Sequence, residues 1–325
     1  MKVLIIGAAG MIGRKLAEHL VAAGMLAGRT IETLHLVDVV KPETGGDAVT
    51  TDVADLSAKG TAESLVAARP DVIFHLAAIV SGEAEADFEK GYRINLDGTR
   101  DLFEAIRAAH DKDGYRPRLV FASSIAVFGA PFPEKIPDAY HLTPLTSYGT
   151  QKAICELLLA DYARKGFFDG IGIRLPTICI RPGKPNKAAS GFFSNILREP
   201  INGEGAVLPV ADDVRHWFAS PRAAVSFFIR AAEIDLDKVG PRRNLTMPGL
   251  SATVGEEIEA LRRIVGEEAA GRIRREPDAG IDAIVAGWPT DFDAQRAKEL
   301  GFSAETAFDE IITVYLEEET GQSAA

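Results

Sequence analysis

Tyr148 and Lys152 stand four residues apart in SYGTQK, at the start of an amphipathic stretch that continues through Leu157 and Tyr162. On a helix that spacing puts both side chains on one face. A free phenol titrates near about 10, too high for a base at neutral pH, but a nearby ammonium favours the phenolate. A tyrosine so tuned can take a proton from an alcohol while hydride leaves the same carbon. Ser124, at the end of the apolar run RLVFASS, can hold the alcohol oxygen by a hydrogen bond. Tyrosine–lysine pairs at this spacing are common, and most are a packed ring and a solvated amine. Position decides here, and hydride needs an acceptor.

The acceptor's place is legible at the start of the chain. KVLIIGAAGMIG runs from a buried-type strand into a glycine turn with Gly7, Gly10 and Gly13 three residues apart, which opens a helix carrying Leu16, Leu20 and Val21 on one face, with Met11 and Ile12 expected beside the cofactor. Such a turn lets backbone approach a pyrophosphate, and the helix start supplies N–H groups and the positive end of its dipole. The spacing is GxxGxxG, with one glycine displaced from the dinucleotide fingerprint. Asp38 closes the next apolar strand, TLHLVDV, roughly 20 residues beyond the glycines. An acidic side chain there accepts hydrogen bonds from the adenosine ribose and repels a 2′-phosphate, so NAD is expected over NADP. Asp52 and Val53 are expected at the adenine edge. The strand DVIFHLA ends at Leu76, Ala77 and Ala78, which leave room for the cofactor to lie on the backbone. His75, inside that strand, is expected to be a core residue.

These residues need a scaffold. Short apolar runs alternate with helical patterns through the first half, which predicts an α/β, Rossmann-type, doubly wound parallel sheet. Gly7, Asp38, Ala77 and Ser124 all fall at the carboxyl ends of strands, where such sheets bind ligands. Residues 1–175 are expected to form the NAD-binding domain. Residues 176–325 are expected to form mainly a smaller substrate-binding lobe, interleaved with the first. The helix over Asp87–Ala109 should be interrupted near Asn95, Ser251 should cap a helix over Val254–Val265, and EEETGQSAA should fray.

The net charge of −11 over 325 residues argues against nucleic acid or an anionic membrane as a partner. Cys155 and Cys179 lie in apolar segments, too few for a disulfide framework and not spaced for a metal. No metal site is expected. No apolar stretch approaches the roughly 18 residues of a membrane span, and the N-terminus has no signal-peptide pattern, so the expected location is the cytoplasm.

Taken together, GAAGMIG, HLAA from His75, NLDGT from Asn95, SSIAVFG from Ser123 and YGTQK from Tyr148 resemble the extended short-chain dehydrogenase/reductases, the group containing nucleotide-sugar epimerases and dehydratases. The resemblance covers almost the whole chain. It implies Ser124, Tyr148 and Lys152 as the catalytic set, with Lys152 also holding the nicotinamide ribose. It implies Asn95, Ser123 and Pro176 beside the cofactor, and a homodimer through the Tyr148 helix and the helix after Asn95. Two features depart from the sugar-nucleotide pattern. Thr177 replaces an asparagine, and VRHWFASPRAA, which keeps Arg215, replaces a stretch ending in an acidic pair. With IRPGKPNKAASGFFSNILREP, these features make the chain similar to the D-erythronate dehydrogenases, which oxidise a four-carbon sugar acid at the hydroxyl beside its carboxylate.

A carboxylate substrate requires a cation, best an arginine that can bind it with two parallel hydrogen bonds. Arg181, Lys184, Lys187, Arg198, Arg215 and Arg222 are available. Arg215 is the first choice and Arg181 the second. Thr177 and Ser190 are expected to read the polyol, with Gly191–Phe193 as a lid or as core. The competing readings are an epimerase or dehydratase that keeps NAD bound, and a non-catalytic dinucleotide sensor.

Overall fold

The computed structural model describes residues 1–183 and 190–321. Lys184 and Lys187 lie outside them. Seven parallel strands form the main sheet: β1 (Lys2–Ile6), β2 (Thr33–Asp38), β3 (Val49–Val53), β4 (Val72–His75), β5 (Arg118–Ser124), β6 (Asp169–Leu175) and, from the second half, β9 (Asn244–Thr246). Their spatial order is β3-β2-β1-β4-β5-β6-β9. The order reverses between β1 and β4, the crevice in which doubly wound sheets bind ligands.

The strands read as continuous apolar runs because both faces are covered. Alternation along β1 sends Val3 and Ile5 to one side, with Leu16 and Leu20 of α1 (Met11–Ala23) and Phe227 and Phe228 of the later helix α5 (Pro221–Glu233). Leu4 and Ile6 face the other side, with Leu102, Phe103 and Ile106 of α2 (Gly98–Asp113) and Leu159 of α3 (Ser147–Arg164). The chain around Asn95 is a π-helical turn, Tyr92–Asp97, between α-helical segments.

A second, three-stranded sheet is built from β7 (Thr177–Ile178), β8 (Arg215–Ala219) and β10 (Leu250–Thr253). It packs with α4 (Gly191–Ile201), α6 (Val254–Ile264) and α7 (Phe308–Tyr315) around a second core that includes Phe193, Phe218, Ile258 and Ile312. Phe192 and Phe193 are buried in this region and are not lid residues. The cap of α6 is Thr253, reciprocally bonded with Glu256, whereas Ser251 lies in β10 and donates to the Thr290 carbonyl. Of the tail expected to fray, residues 322–325 lie outside the described residues, and the part before them is ordered. Glu317, Glu318 and Glu319 sit on a π-helical turn, Leu316–Thr320, and pair with Lys15 and Arg222. Among the described residues no helix is long and apolar enough to cross a membrane, and no cluster of side chains could hold a metal ion.

Candidate active site

A cleft of about 510 Å³ opens where the carboxyl ends of β1, β4 and β5 meet the smaller sheet. Gly7, Gly10, Met11, Ile12 and Leu76 line one end, and Ser123, Ser124, Tyr148 and Pro176 its middle. Thr177, Arg181, Ser190, Arg198, His216 and Trp288 line the other end.

The glycines explain their displaced spacing. Gly7 has φ +95°, and a Cβ there would stand 2.5 Å from the Ala77 nitrogen. A Cβ at Gly13 would stand 2.1 Å from the Gly7 carbonyl oxygen. These two positions let β1, β4 and α1 converge, and Gly10 caps α1 with no side-chain bond of its own. What remains is backbone at a helix start facing the cleft, the arrangement a pyrophosphate requires. Asp38 lies beside it and accepts from the Ala9 and Val40 amides at 3.0 and 3.3 Å. Val53 is its register partner, largely exposed at the sheet edge, and Asp52 is bonded to His35. Ala77 and Ala78 do not line the cleft, and Ala77 backs Gly7. The cradle fits a dinucleotide.

Two residues expected beside the cofactor turn their side chains elsewhere. Asn95 is buried and clamps both backbone groups of Ile79 while donating to Gln151. It therefore fixes the segment after β4 rather than lining the cleft. The Ser123 hydroxyl donates to Glu156 at 2.5 Å, and Glu156 is in turn gripped by buried Arg174. His75 is core, as expected. Its Nε2 bonds Thr99, while its Nδ1 has no partner among the described residues. Burial and the Lys152 charge pull its pKa down to about 3.

α3 brings Tyr148 and Lys152 to the site, and β5 brings Ser124. Burial pushes the Tyr148 phenol up to about 12, while the Ser124 hydroxyl and the Arg181 charge act the other way. Lys152 was expected to tune the phenol. Its Nζ donates to the Ala122 carbonyl at 2.8 Å and lies over the Phe121 ring, 5.8 Å from the Tyr148 ring centre. Burial pulls its pKa down to about 8, against the opposing influence of Cys155 and Glu156. Both the Lys152 ammonium and the Arg181 guanidinium therefore stand on the side of the phenolate, against burial.

The structure separates the two leading arginines. Arg215 is exposed, donates to the Ser251 carbonyl and pairs with Glu256 at 3.4 Å, away from the cleft. This corrects the expectation that it binds the carboxylate. The reason is alternation along β8: His216 points into the cleft, so its neighbour points out. Arg222 is also elsewhere, on Glu317 and Glu318. Arg181 lines the cleft, with Nε on the Ile178 carbonyl and Nη2 on Ser190. It forms no ion pair among the described residues. Arg198 lies behind it, donating to the Arg181 carbonyl, Asn195 and Glu199.

Residues 3–219 match the NAD dependent epimerase/dehydratase family. This chain belongs to that family. Its cofactor is NAD, consistent with the glycine cradle and with Asp38. A D-erythronate dehydrogenase of Cupriavidus necator is 46% identical over 98% of both chains. Another, from Haemophilus influenzae, is 42% identical over 98% of this chain and 99% of its own. A crystal structure described as a nucleoside-diphosphate-sugar epimerase from Agrobacterium tumefaciens is 68% identical, with TM-score 0.97, over 99% of this chain and 95% of that one.

His216, Arg198 and Trp288 complete the far wall. Arg198 was visible only as one of six cations. The other two carried no signal in spacing, because the tertiary path alone brings them in.

Proposed function

We propose that this protein is an NAD-dependent dehydrogenase of a short sugar acid, with D-erythronate as the type substrate, oxidised at the hydroxyl beside the carboxylate to a 2-oxo acid. One observation carries the reading. Arg181, which has no ion pair among the described residues, lines the same cleft as Ser124 and Tyr148. A cation beside the proton acceptor suits a substrate whose carboxylate neighbours the reacting hydroxyl. The two relatives named D-erythronate dehydrogenases support it.

NAD supplies the hydride acceptor when bound. Gly7, Gly10, Met11 and Ile12 hold its pyrophosphate, Asp38 its adenosine ribose, Lys152 its nicotinamide ribose, and Leu76 and Pro176 flank it. Asp52 and Val53 form the adenine edge. Ser124 orients the substrate hydroxyl, and the Tyr148 oxygen takes the hydroxyl proton as the carbon loses hydride. Arg181 and Ser190 bind the carboxylate, and Thr177 a further hydroxyl. The reading includes a cytoplasmic homodimer, which Leu157, 65% exposed on α3, supports.

The second reading, a nucleotide-sugar epimerase, rests on the description of the Agrobacterium structure. The purified protein is to be assayed with NAD and with NADP against four- to six-carbon aldonates and UDP-sugars. NADH formed from D-erythronate, and lost in Tyr148→Phe with NAD binding retained, is the expected result. Isomerised UDP-sugar without net NADH would overturn it in favour of the epimerase.

A further inference from the structure

His216 is buried in the cleft wall and belongs to no motif of the catalytic set. Its ring is fixed on every side. It stacks on Phe193 with the planes 2° apart and meets Trp288 at 5.2 Å between ring centres. Nδ1 stands 3.0 Å from the Pro289 carbonyl, and Nε2 stands 2.6 Å from the Thr177 hydroxyl.

These contacts determine where the protons are. A carbonyl oxygen only accepts, so Nδ1 carries the hydrogen. Burial pulls the ring's pKa down to about 4, so at neutral pH Nε2 is bare and must accept. The Thr177 hydroxyl therefore spends its single proton on His216. Toward the cleft it has lone pairs only. A threonine hydroxyl ordinarily rotates to suit either partner; this one cannot.

We propose that His216 is a positioning residue that makes Thr177 an obligate acceptor, so that the cleft selects a substrate with a hydroxyl donor beyond the reacting carbon. For a four-carbon sugar acid that donor is the 3-hydroxyl. The inference rests on the sugar-acid reading above. It also fixes orientation. A carboxylate or carbonyl placed at Thr177 would meet lone pairs, whereas at Arg181 it meets a cation. The acid group is thus driven to Arg181, and the polyol end to Thr177.

The test compares kcat/KM for D-erythronate with that for its 3-deoxy analogue, 2,4-dihydroxybutanoate, in the wild type and three variants. Thr177→Val removes the acceptor. His216→Phe keeps an aromatic ring on Phe193 but releases the hydroxyl, and His216→Gln restores an acceptor. The wild type is expected to favour the 3-hydroxylated acid by about tenfold, the value of one well-made hydrogen bond. Thr177→Val and His216→Phe should bring the ratio close to one, mainly through KM, and His216→Gln should recover part of it. NAD binding and thermal melting are read alongside as checks of folding. A wild-type ratio retained in folded His216→Phe would overturn the inference, and so would equal use of both acids by the wild type. Turnover of neither acid by the wild type would overturn the sugar-acid reading, and this inference with it. Should the His216 variants fail to fold, Thr177→Val alone decides: an unchanged ratio overturns the inference.

Discussion

A single cation does two jobs in this cleft. Arg181 lines the end of the cleft proposed for the carboxylate and is also a charge that favours the Tyr148 phenolate. Replacing it with glutamine should lower kcat/KM for the acid by roughly 10- to 100-fold, the worth of a charged hydrogen-bonded contact. The sign of the pH effect follows. A cation stabilises the phenolate, so its loss raises the apparent pKa of the rising limb of kcat/KM, and at fixed pH less base is present. A pH–rate profile of Arg181→Gln should therefore shift to higher pH, whereas Arg215→Gln should leave both rate and profile within about twofold. Steady-state kinetics of the two variants between pH 6 and 10 checks both. The positions of Ser124, Tyr148, Lys152 and Asp38 were legible because they are local, the end of a strand or the face of one helix. The choice among arginines was not, because it depends on which face of β8 and which turn after β7 look inward. The presence of Arg181 beside the catalytic pair was hidden for the same reason. Spacing puts Lys152 near Tyr148, and its amine is held there by the Ala122 carbonyl.

Elements announced themselves to the degree that their signals lie along the chain. The apolar runs gave the parallel sheet, since strands covered on both faces have no polar alternation. The break near Asn95 was visible in the helical pattern and is the π-helical turn. The cap of α6 was misplaced by two residues. Ser251 and Thr253 are both suitable hydroxyls, and the glutamate three positions after Thr253 is the mark that separates them. Nothing in the pattern announced Glu257 on the same helix. It is fully buried, and neither of its oxygens has a partner among the described residues. Burial raises its pKa well above the ordinary carboxylate range. A raised native pKa means that the folded state holds a proton the unfolded chain has released. Its stability contribution is therefore intact below about 4.5 and declines as pH rises toward the native value, by about 1.4 kcal/mol per pH unit. Glu257→Gln cannot ionise in either state. Urea melts at pH 5 and pH 8 should show the wild type losing stability relative to the variant on going to the higher pH. Parallel curves would show that the carboxyl is charged in the fold.

At the scale of the whole molecule, the lower-numbered half is not a free-standing unit. The seventh strand of the main sheet, Asn244–Thr246, and the helix carrying Phe227 and Phe228 both come from the second half. A fragment ending at Leu175 would bare the edge of β6 and remove that cover from Val120, Ile171 and Ile173. Exposed strand edges and apolar faces lead to aggregation. The fragment is expected to be insoluble or to bind ANS without near-UV circular dichroism, and a soluble, cooperatively melting fragment would refute this. The chain passes between its two sheets over very short spans: Pro176 alone separates β6 from β7, Ser220 alone separates β8 from α5, and Met247–Gly249 separates β9 from β10. In evolutionary terms, this interleaving closes the route of modular exchange. A substrate lobe spliced in as a cassette would have to match three sutures at once. Changing cleft residues in place leaves all three sutures intact.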